Sequence, residues 1–358
     1  MKPTTLLEVA RLAGVSTATV NRVLKNSGYV SADARTRIEA AIKETRYRPN
    51  ALARELRRQR SMTIGHVVSA ITANPFFANV ARGAEETALE AGFKTLLFNH
   101  NGSAAREHQG IERFIERRVD AVLFTVAVSR DDVATLIEEN IPVVQIERTA
   151  TLNAPSVTVD NTVGALDAMR HFIDLGHTRI ALVGGDPDLV YHGDPLMRAV
   201  EDERLGAYRK GLANAGLAWN ADYERLGQYY RHEDGAGVQG YHHMRALLGL
   251  DERPTAVFAT CDILAAGVLQ AIYEAGLRVP DDISVIGFDD TLAINLAPRL
   301  TTVAQPMDDL GREGFALALA QIEGDVSPRS VRLPSRLVVR DSAGAPPAHP
   351  ARPRRRSA

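Results

Sequence analysis

The sequence predicts two kinds of structure in one chain: a small all-α head, then an α/β body of two doubly wound parallel-sheet subdomains. Three observations support this prediction. The first sixty residues show short capped helices separated by a glycine turn. From Thr63 onward, apolar runs alternate with amphipathic helical stretches. These runs lack the in-and-out alternation of half-exposed strands, which indicates parallel strands covered on both faces.

The composition is typical of a globular chain with two or three domains, since 45% of its 358 residues are hydrophobic and 24% are charged. The single cysteine, Cys261, cannot form an internal disulfide, which fits a reducing compartment. No apolar run reaches the roughly 20 residues that span a bilayer. The N-terminal stretch also lacks the apolar core of a signal peptide. We therefore expect a cytoplasmic protein with no membrane partner.

Charge is distributed unevenly along the chain. Residues 1–60 hold thirteen Lys or Arg and five Asp or Glu, whereas residues 342–358 hold four Arg and no acidic residue. The stretch between them has twenty-five basic and thirty-nine acidic residues. A basic head on an acidic body is typical of proteins whose head contacts nucleic acid. A basic surface that is merely solvated is the alternative, and charge alone leaves both open.

Three helices are predicted in the head. Thr5 and Glu8 form a capping box at the start of the first helix, and Gly14 ends it. Ser16 is placed to cap the second helix and Ser31 the third. Two helices joined by a tight turn with glycine form the helix-turn-helix pattern of DNA-binding heads.

The second helix of the head carries the candidate DNA-contacting surface. At 100° per residue, Thr17, Ala18, Asn21 and Arg22 fall within one arc, and Thr19 falls on the opposite side. Small, polar and cationic side chains suit a helix that enters a major groove about 12 Å wide. Arg22 suits a bidentate contact to guanine, and Asn21 suits an adenine edge or a phosphate.

Strands and helices alternate in two successive series in the body. In doubly wound sheets the ligand binds at the carboxyl ends of the strands. We therefore expect a ligand cleft between the two subdomains. Residues 50–58 join head and body as a helical stretch that is too short to be stable alone.

A set of motifs occurs in order along the chain: LLEVARLAGVSTATVNRVLKNSGYVS in the head, then NPFF at 74–77, VDN at 159–161, GHTRIALVGG at 176–185, PTAVFATCD at 254–262, GLRVPDDISVIGFDD at 276–290, LTTVAQP at 300–306 and LVVRDS at 337–342. Over residues 4–342 the sequence thereby resembles the LacI/GalR family of bacterial transcription regulators. The resemblance implies a helix-turn-helix head, a hinge helix and a body like a periplasmic sugar-binding protein. It also implies a homodimer that binds palindromic double-stranded operator DNA. The expected function is that of a repressor controlled by a small-molecule effector, a sugar or sugar derivative.

The resemblance divides the chain into segments. We expect a helix-turn-helix domain at 1–48, a hinge helix and linker at 49–60, an effector-binding and dimerisation domain at 61–341, and a disordered tail at 342–358. Within the body, the expected N-subdomain is about 61–159 plus 291–322, and the C-subdomain is about 160–290 plus 323–341. The tail contains Pro and Arg but no a/d heptad pattern, which favours a dimer over a tetramer.

Expected DNA contacts combine the outward arc with the family pattern. By resemblance, Leu56 of the hinge helix inserts between base pairs from the minor groove; the alternative is an ordinary apolar helix residue. The expected DNA-binding residues are Thr5, Leu6, Ser16, Thr17, Ala18, Thr19, Asn21, Arg22, Asn26, Ser31, Tyr47, Asn50, Ala53 and Leu56. Asn21 stands where the family usually has serine.

Expected effector contacts also follow the resemblance, and each has a structural alternative. Phe76 and Phe77 would stack on a ring at the cleft, or they are core aromatics. Arg204 would hold hydroxyls or a carboxylate, or it forms a surface ion pair in an acidic run. Asp262 would accept hydrogen bonds from adjacent hydroxyls, or it caps a helix. Two further expected contacts are Glu147, at the end of a strand, and Arg198, in a stretch (187–202) that is longer than the family usually has.

Catalytic and metal chemistry find no support in the sequence. Cys261 stands where the family usually has asparagine and is interpreted as a small buried residue. The pair His242 and His243 lacks metal-ligand spacing with cysteine, and no dinucleotide or P-loop motif occurs. We expect no cofactor, metal or enzymatic activity. Two alternatives are a periplasmic solute-binding protein and an α/β enzyme acting on sugars. The first requires a signal peptide, and the second requires a marked acid/base pair.

Overall fold

The computed structural model describes residues 4–47, 60–147, 152, 154–186, 199–229, 237–325, 327 and 329–348. The chain divides into two compact units, one ending at Ser61 and the other beginning at Met62. None of the described helices is long and apolar enough to cross a membrane.

The head contains helices α1 (Leu6–Ala13), α2 (Thr17–Leu24) and α3 (Ala32–Thr45). The predicted capping box is confirmed, since the Thr5 hydroxyl accepts from the Glu8 N–H and the Glu8 carboxylate accepts from the Thr5 N–H. Ser16 and Ser31 cap α2 and α3 as predicted. The three helices enclose a small core of aliphatic residues: Val9, Ala10, Ala13, Val20, Val23, Ile38 and Ala41.

Strands and helices alternate through the body. The strands are β1 (Thr63–Val68), β2 (Lys94–Asn99), β3 (Ala121–Thr125), β4 (Val143–Ile146), β5 (Ser156–Val159), β6 (Ile180–Gly185), β7 (Glu224–Gly227), β8 (Ala256–Ala259), β9 (Ser284–Asp289), β10 (Thr301–Ala304), β11 (Ser330–Leu333) and β12 (Arg336–Val338). The helices are α4 (Pro75–Glu90), α5 (Ala104–Glu116), α6 (Arg130–Glu138), α7 (Asn161–Asp174), α8 (Ala199–Asn214), α9 (Val238–Leu248), α10 (Asp262–Glu274) and α11 (Met307–Ile322).

These strands form two sheets, which confirms the predicted fold class. The first sheet has the order β11-β5-β4-β3-β1-β2 and is parallel throughout. The second has the order β12-β10-β9-β8-β6-β7 and is parallel except for β12, which pairs antiparallel with β10. Strands such as β3 and β8 are buried along their whole length, as their unbroken apolar sequence predicts.

The chain passes between the two subdomains three times. It leaves the first sheet after β5, returns after β10 to form α11 and β11, and crosses again to β12. The expected subdomain boundaries differ from this path: Thr301–Ala304 lies in the second sheet, and Ser330–Leu333 lies in the first. The final crossovers could not be located from periodicity, because β10, β11 and β12 are only three or four residues long.

The beginning of the expected disordered tail is ordered. Ser342 is fully buried, and its hydroxyl donates to the Val285 carbonyl at 2.6 Å. The Gly344 carbonyl accepts from Ser284 Oγ at 3.0 Å and lies 2.8 Å from Nε2 of His177. These contacts fasten the segment to the second subdomain. Residues 349–358 lie outside the described residues.

Candidate functional site

A cavity opens between the two subdomains at the carboxyl ends of their strands, where the doubly wound topology predicts a ligand site. One wall comes from segments that follow β1, β3 and β4, and the other from α8, β9 and the start of α10. The described lining residues are Ser69, Asn74, Phe76, Phe77, Val126, Glu147, Val200, Glu201, Arg204, Tyr229, Cys261, Ile263, Asp289 and Gln305.

The aromatic part of the wall is set by the start of α4. Asn74 caps this helix, with Oδ1 accepting from the Phe76 N–H at 3.0 Å, and Pro75 occupies the first turn. The rings of Phe76 and Phe77 meet edge to face, with centroids 5.4 Å apart. Both residues line the cavity and also belong to the core of the first subdomain. Their ring positions are therefore fixed by packing before any ligand arrives.

Arg204 projects from α8 into the opposite wall. Its Nε and Nη2 donate to Asn161 Oδ1, and its Nη1 donates to the Thr260 carbonyl at 2.8 Å. The guanidinium carbon lies 3.9 Å from the centroid of the Phe288 ring, a cation–π contact. Arg204 is only 5% exposed, so the alternative of a surface ion pair is wrong.

Two carboxylates of the wall are held by the protein itself. Glu147 is buried, and its Oε1 accepts from the Val159 N–H at 3.0 Å. Asp289 accepts from Gln305 Nε2 at 2.6 Å and from Asn74 Nδ2 at 3.3 Å. Burial raises the pKa of Asp289, and the nearby Arg204 charge limits the rise. The Asn74–Asp289 hydrogen bond joins the two walls.

Asp262, an expected effector contact, is not among the described cavity-lining residues. Its carboxylate is fully buried and accepts from Thr302 Oγ1 at 2.7 Å and from the Thr291 N–H at 2.8 Å. Cys261, not Asp262, is the capping residue of α10. Burial and the charge of Asp289 raise the pKa of Asp262. Its oxygens fasten the segment after β9, so they face the protein rather than the cavity.

Sequence reasoning missed several cavity residues. Asp289 and Gln305 lie in the motifs FDD and LTTVAQP, and Asp289 ends a strand in the same way as Glu147. That end-of-strand position was the available signal for Asp289. Glu201 and Tyr229 had no comparable signal. The expected contact Arg198 lies outside the described residues.

The loop after β3 is fixed by a buried carboxylate. Glu107 accepts from the Val128 N–H at 2.9 Å and from the Ser129 N–H at 2.8 Å. Burial raises the pKa of Glu107 to about 7, although these two hydrogen bonds oppose the rise. Since Val126 in the same loop lines the cavity, Glu107 fixes a loop that contributes to the cavity wall.

Cys261 is a small buried lining residue, as interpreted from the sequence. Burial, together with the charge of Asp289, strongly raises the pKa of its thiol, which therefore stays protonated at neutral pH. The described residues contain no group of three or more His, Cys, Asp or Glu that could hold a metal ion.

In the head, helix α2 presents part of the predicted arc to solvent. Ala18 and Arg22 are exposed, whereas Thr17 and Asn21 are half-buried. Thr19 is half-buried, and its hydroxyl lies 2.8 Å from that of Ser16. The exposed part of the arc is thus small and cationic, as expected for a helix that approaches DNA.

The other expected DNA contacts in the head have local roles as well. Leu6 and Tyr47 pack against the head core, and Asn26 accepts from Arg35 Nη2 at 3.4 Å. Tyr29, which sequence reasoning did not select, is 88% exposed in the loop between α2 and α3. The hinge residues Asn50, Ala53 and Leu56 lie outside the described residues.

Comparison with known proteins covers both units of the chain. Residues 5–50 match the family model described as bacterial regulatory proteins, lacI family, and residues 169–343 match the periplasmic binding protein-like domain. The ribose operon repressor of Escherichia coli K12 is 36% identical over 322 residues, which cover 89% of this chain and 93% of the repressor. The E. coli K12 repressor CytR is 34% identical, with 96% of this chain and 97% of CytR covered.

Solved structures show the same architecture. The Lac repressor dimer bound to operator and the anti-inducer ONPF is 28% identical, with a TM-score of 0.79 and coverage of 96% of this chain and 100% of that one. A LacI family regulator from Enterococcus faecium with bound ribose is 29% identical, with a TM-score of 0.67 and coverage of 81% and 100%.

The helix-turn-helix head and the cleft between two parallel-sheet subdomains define a regulator built on a periplasmic-binding-protein-like body. The chain belongs to the lacI family of bacterial regulatory proteins, as its identity to the ribose operon repressor over nearly the whole length shows.

Proposed function

We propose that this protein is a sequence-specific transcriptional repressor whose affinity for operator DNA is controlled by a sugar or sugar derivative. The observation that carries the proposal is the presence, in one chain, of a cationic recognition helix and a two-walled cavity. Among the compared structures, one holds operator DNA and another holds ribose, on the same architecture.

DNA recognition is assigned to α2. Arg22 donates to a guanine edge, while the small Ala18 lets the helix backbone approach the bases. Asn21 and Thr17 contact the neighbouring bases or phosphates at the edge of the arc. The protein acts as a homodimer, so two heads read the two halves of a palindromic site. The hinge residues, with Leu56 as the intercalating side chain, complete the contact in the minor groove.

Effector control follows from the two walls of the cavity. A ligand that contacts the aromatic wall of α4 and the polar wall around Arg204 binds best to one relative orientation of the subdomains. It shifts the population toward that orientation only by its difference in affinity for the two states. The coupling to DNA is reciprocal, so operator DNA changes effector affinity by the same factor.

The proposed role is non-catalytic and cytoplasmic, with the protein on the nucleoid while it occupies its operator. The buried, protonated Cys261 thiol is unsuited to act as a nucleophile. The compared relatives named above are repressors.

A titration of the full-length protein against DNA from upstream of its own gene tests the proposal. Fluorescence anisotropy at fixed salt should show at least about 1,000-fold preference for that DNA over random DNA. Addition of ribose or other sugars should identify one that changes this affinity. Light scattering at micromolar protein should give a dimer. Equal affinity for all DNA, or turnover of a sugar in a product assay, would contradict the proposal.

A further inference from the structure

The described cavity wall is acidic and buried. Glu147, Glu201 and Asp289 line it together with one cation, Arg204, and none of the four is more than 5% exposed. Charges that are shielded from water interact far more strongly than surface charges and are screened little by salt. The side chains that line the described part of the cavity therefore present more negative than positive charge to a ligand.

A second observation concerns hydrogen bonding. Gln305 lines the cavity and is 7% exposed; its Nε2 donates to Asp289, while its Oε1 accepts no hydrogen bond among the described residues. A buried acceptor without a donor destabilises the folded state, so a ligand group that donates a hydrogen bond to this oxygen would bind favourably. On the donor side, three guanidinium N–H groups of Arg204 are already used by Asn161 and Thr260.

We infer that the effector is an uncharged molecule rich in hydroxyl groups, and that this cavity rejects the phosphate esters and acids of the same sugars. Hydroxyls donate to carboxylates and to the Gln305 oxygen, and the apolar side of the molecule lies against Phe76 and Phe77. A phosphate group is negatively charged and offers only hydrogen-bond acceptors. It would therefore be repelled by the carboxylates of the wall and could not donate to them or to the Gln305 oxygen. The inference rests on the proposed effector role of this cavity.

Matched pairs of compounds test the charge preference on the wild-type, full-length protein. Calorimetric titration would compare D-ribose with D-ribose 5-phosphate, and free hexoses with their 6-phosphates and aldonic acids. Cellobiose extends the panel to disaccharides. We expect the neutral member of the binding pair to be favoured by about 100-fold. A preference below tenfold, a preference for the anion, or a panel in which nothing binds would overturn the inference.

A buried aspartate and an exposed glutamate provide a variant and its control. Asp289→Asn removes a negative charge from the cavity wall and should narrow the preference for the neutral ligand at least about fivefold. Glu112→Gln removes an exposed charge that is not part of the described wall, and should leave the ratio of the two affinities unchanged. Equal narrowing in both variants would show that the cavity wall does not set the preference. Glu147→Gln replaces Asp289→Asn if circular dichroism shows that the latter is unfolded.

The readout separates this inference from the proposed function. Operator titration without sugar tests DNA binding alone, and calorimetry without DNA tests the ligand class alone. Loss of operator specificity with a retained neutral-ligand preference would refute the repressor role only. The reverse result would refute the charge preference only.

Discussion

The head and the body differ in whether the residues that stabilise the fold are also the residues proposed to contact the ligand. In the head, the residues that hold the fold together, such as Val9, Val20 and Ile38, are buried, and the proposed DNA-contacting residues Ala18 and Arg22 are exposed. In the body, Arg204 lines the cavity and also holds Asn161 and the Thr260 carbonyl. Asp289 likewise lines the cavity and joins its two walls.

The difference follows from the kind of ligand. DNA is larger than the head and is read from outside, so its contacts need not be buried. A small ligand is recognised by surrounding it, and the groups that surround it are necessarily part of the interior. A single substitution in the head should therefore change either DNA recognition or stability, whereas a substitution in the cavity wall of the body should change both ligand binding and stability.

The largest expected effect is that of Arg204→Ala in the body. The variant should lose about 3 kcal/mol or more of unfolding free energy, because buried acceptors on Asn161 and Thr260 and the buried carboxylates lose their partner. It should also lose binding of the sugar that binds the wild type. Urea unfolding followed by circular dichroism measures the first effect, and calorimetry measures the second.

Lys210→Ala is the matched control, since Lys210 is an exposed cation on the same helix. Its effect on stability should stay below about 1 kcal/mol. An Arg204→Ala variant with wild-type stability but no sugar binding would contradict this comparison. It would show that ligand recognition in the body does not depend on the residues that stabilise the fold.

The next effect concerns pH, which should act on the body through its buried acids. The described head residues include no buried charged side chain, whereas Glu107 in the body is fully buried with a pKa raised to about 7. A raised carboxyl pKa means that the folded state binds a proton more tightly than the unfolded state. The wild type should therefore gain stability relative to Glu107→Gln as the pH falls from about 8 to about 5, by up to about 3 kcal/mol.

Urea unfolding of both proteins across this pH range measures the difference. Glu112→Gln, an exposed substitution on the same helix, controls for the general loss of a carboxyl group from α5. A difference between wild type and Glu107→Gln that does not vary with pH would contradict the assignment.

Arg22→Ala tests the separation of roles in the head. It should weaken operator binding by about 1–3 kcal/mol and lower the ratio of operator to random-DNA affinity, while the thermal midpoint stays unchanged. Arg37→Ala removes the same charge from α3 and serves as the control in the same anisotropy assay at fixed salt. An unchanged affinity ratio in Arg22→Ala would show that this side chain does not read the sequence.

Ile38→Val has the smallest expected effect. It tests whether a change in the head core lowers stability without changing DNA recognition. Removing one buried methylene should lower the stability of the head by about 1 kcal/mol. The preference for operator over random DNA should be retained, because Ile38 has no exposed surface. Thermal unfolding and the anisotropy ratio check the two halves of this prediction. A changed ratio would show that head packing and DNA readout are coupled.

Local signals were enough to predict the head. The capping box at Thr5 and Glu8 and the caps at Ser16 and Ser31 depend on residues three positions apart, and all three are confirmed. The parallel sheets were also predictable, because fully buried strands are apolar along their whole length. The short strands β10, β11 and β12 were not, because their sheet membership depends on pairing with distant parts of the chain.

The cavity was predictable only in part for the same reason. Phe76, Phe77, Glu147 and Arg204 were selected and do line it. Asp262 and Asp289 both lie beside strand ends, and sequence alone gives no means of deciding which carboxylate faces a ligand. That choice is made by Thr302, whose hydroxyl donates to Asp262, and by the Thr291 N–H.

The triple crossing of the chain has a consequence for synthesis on the ribosome. The edge strand β11 pairs with β5, yet Ser330–Leu333 is translated after all of the second subdomain except β12 and the segment that follows it. The first subdomain therefore cannot complete its sheet until almost the entire polypeptide has been made, whereas the head, with only local contacts, can fold as soon as it leaves the exit tunnel. For much of translation, the nascent chain thus carries a finished DNA-binding head on an unfinished body.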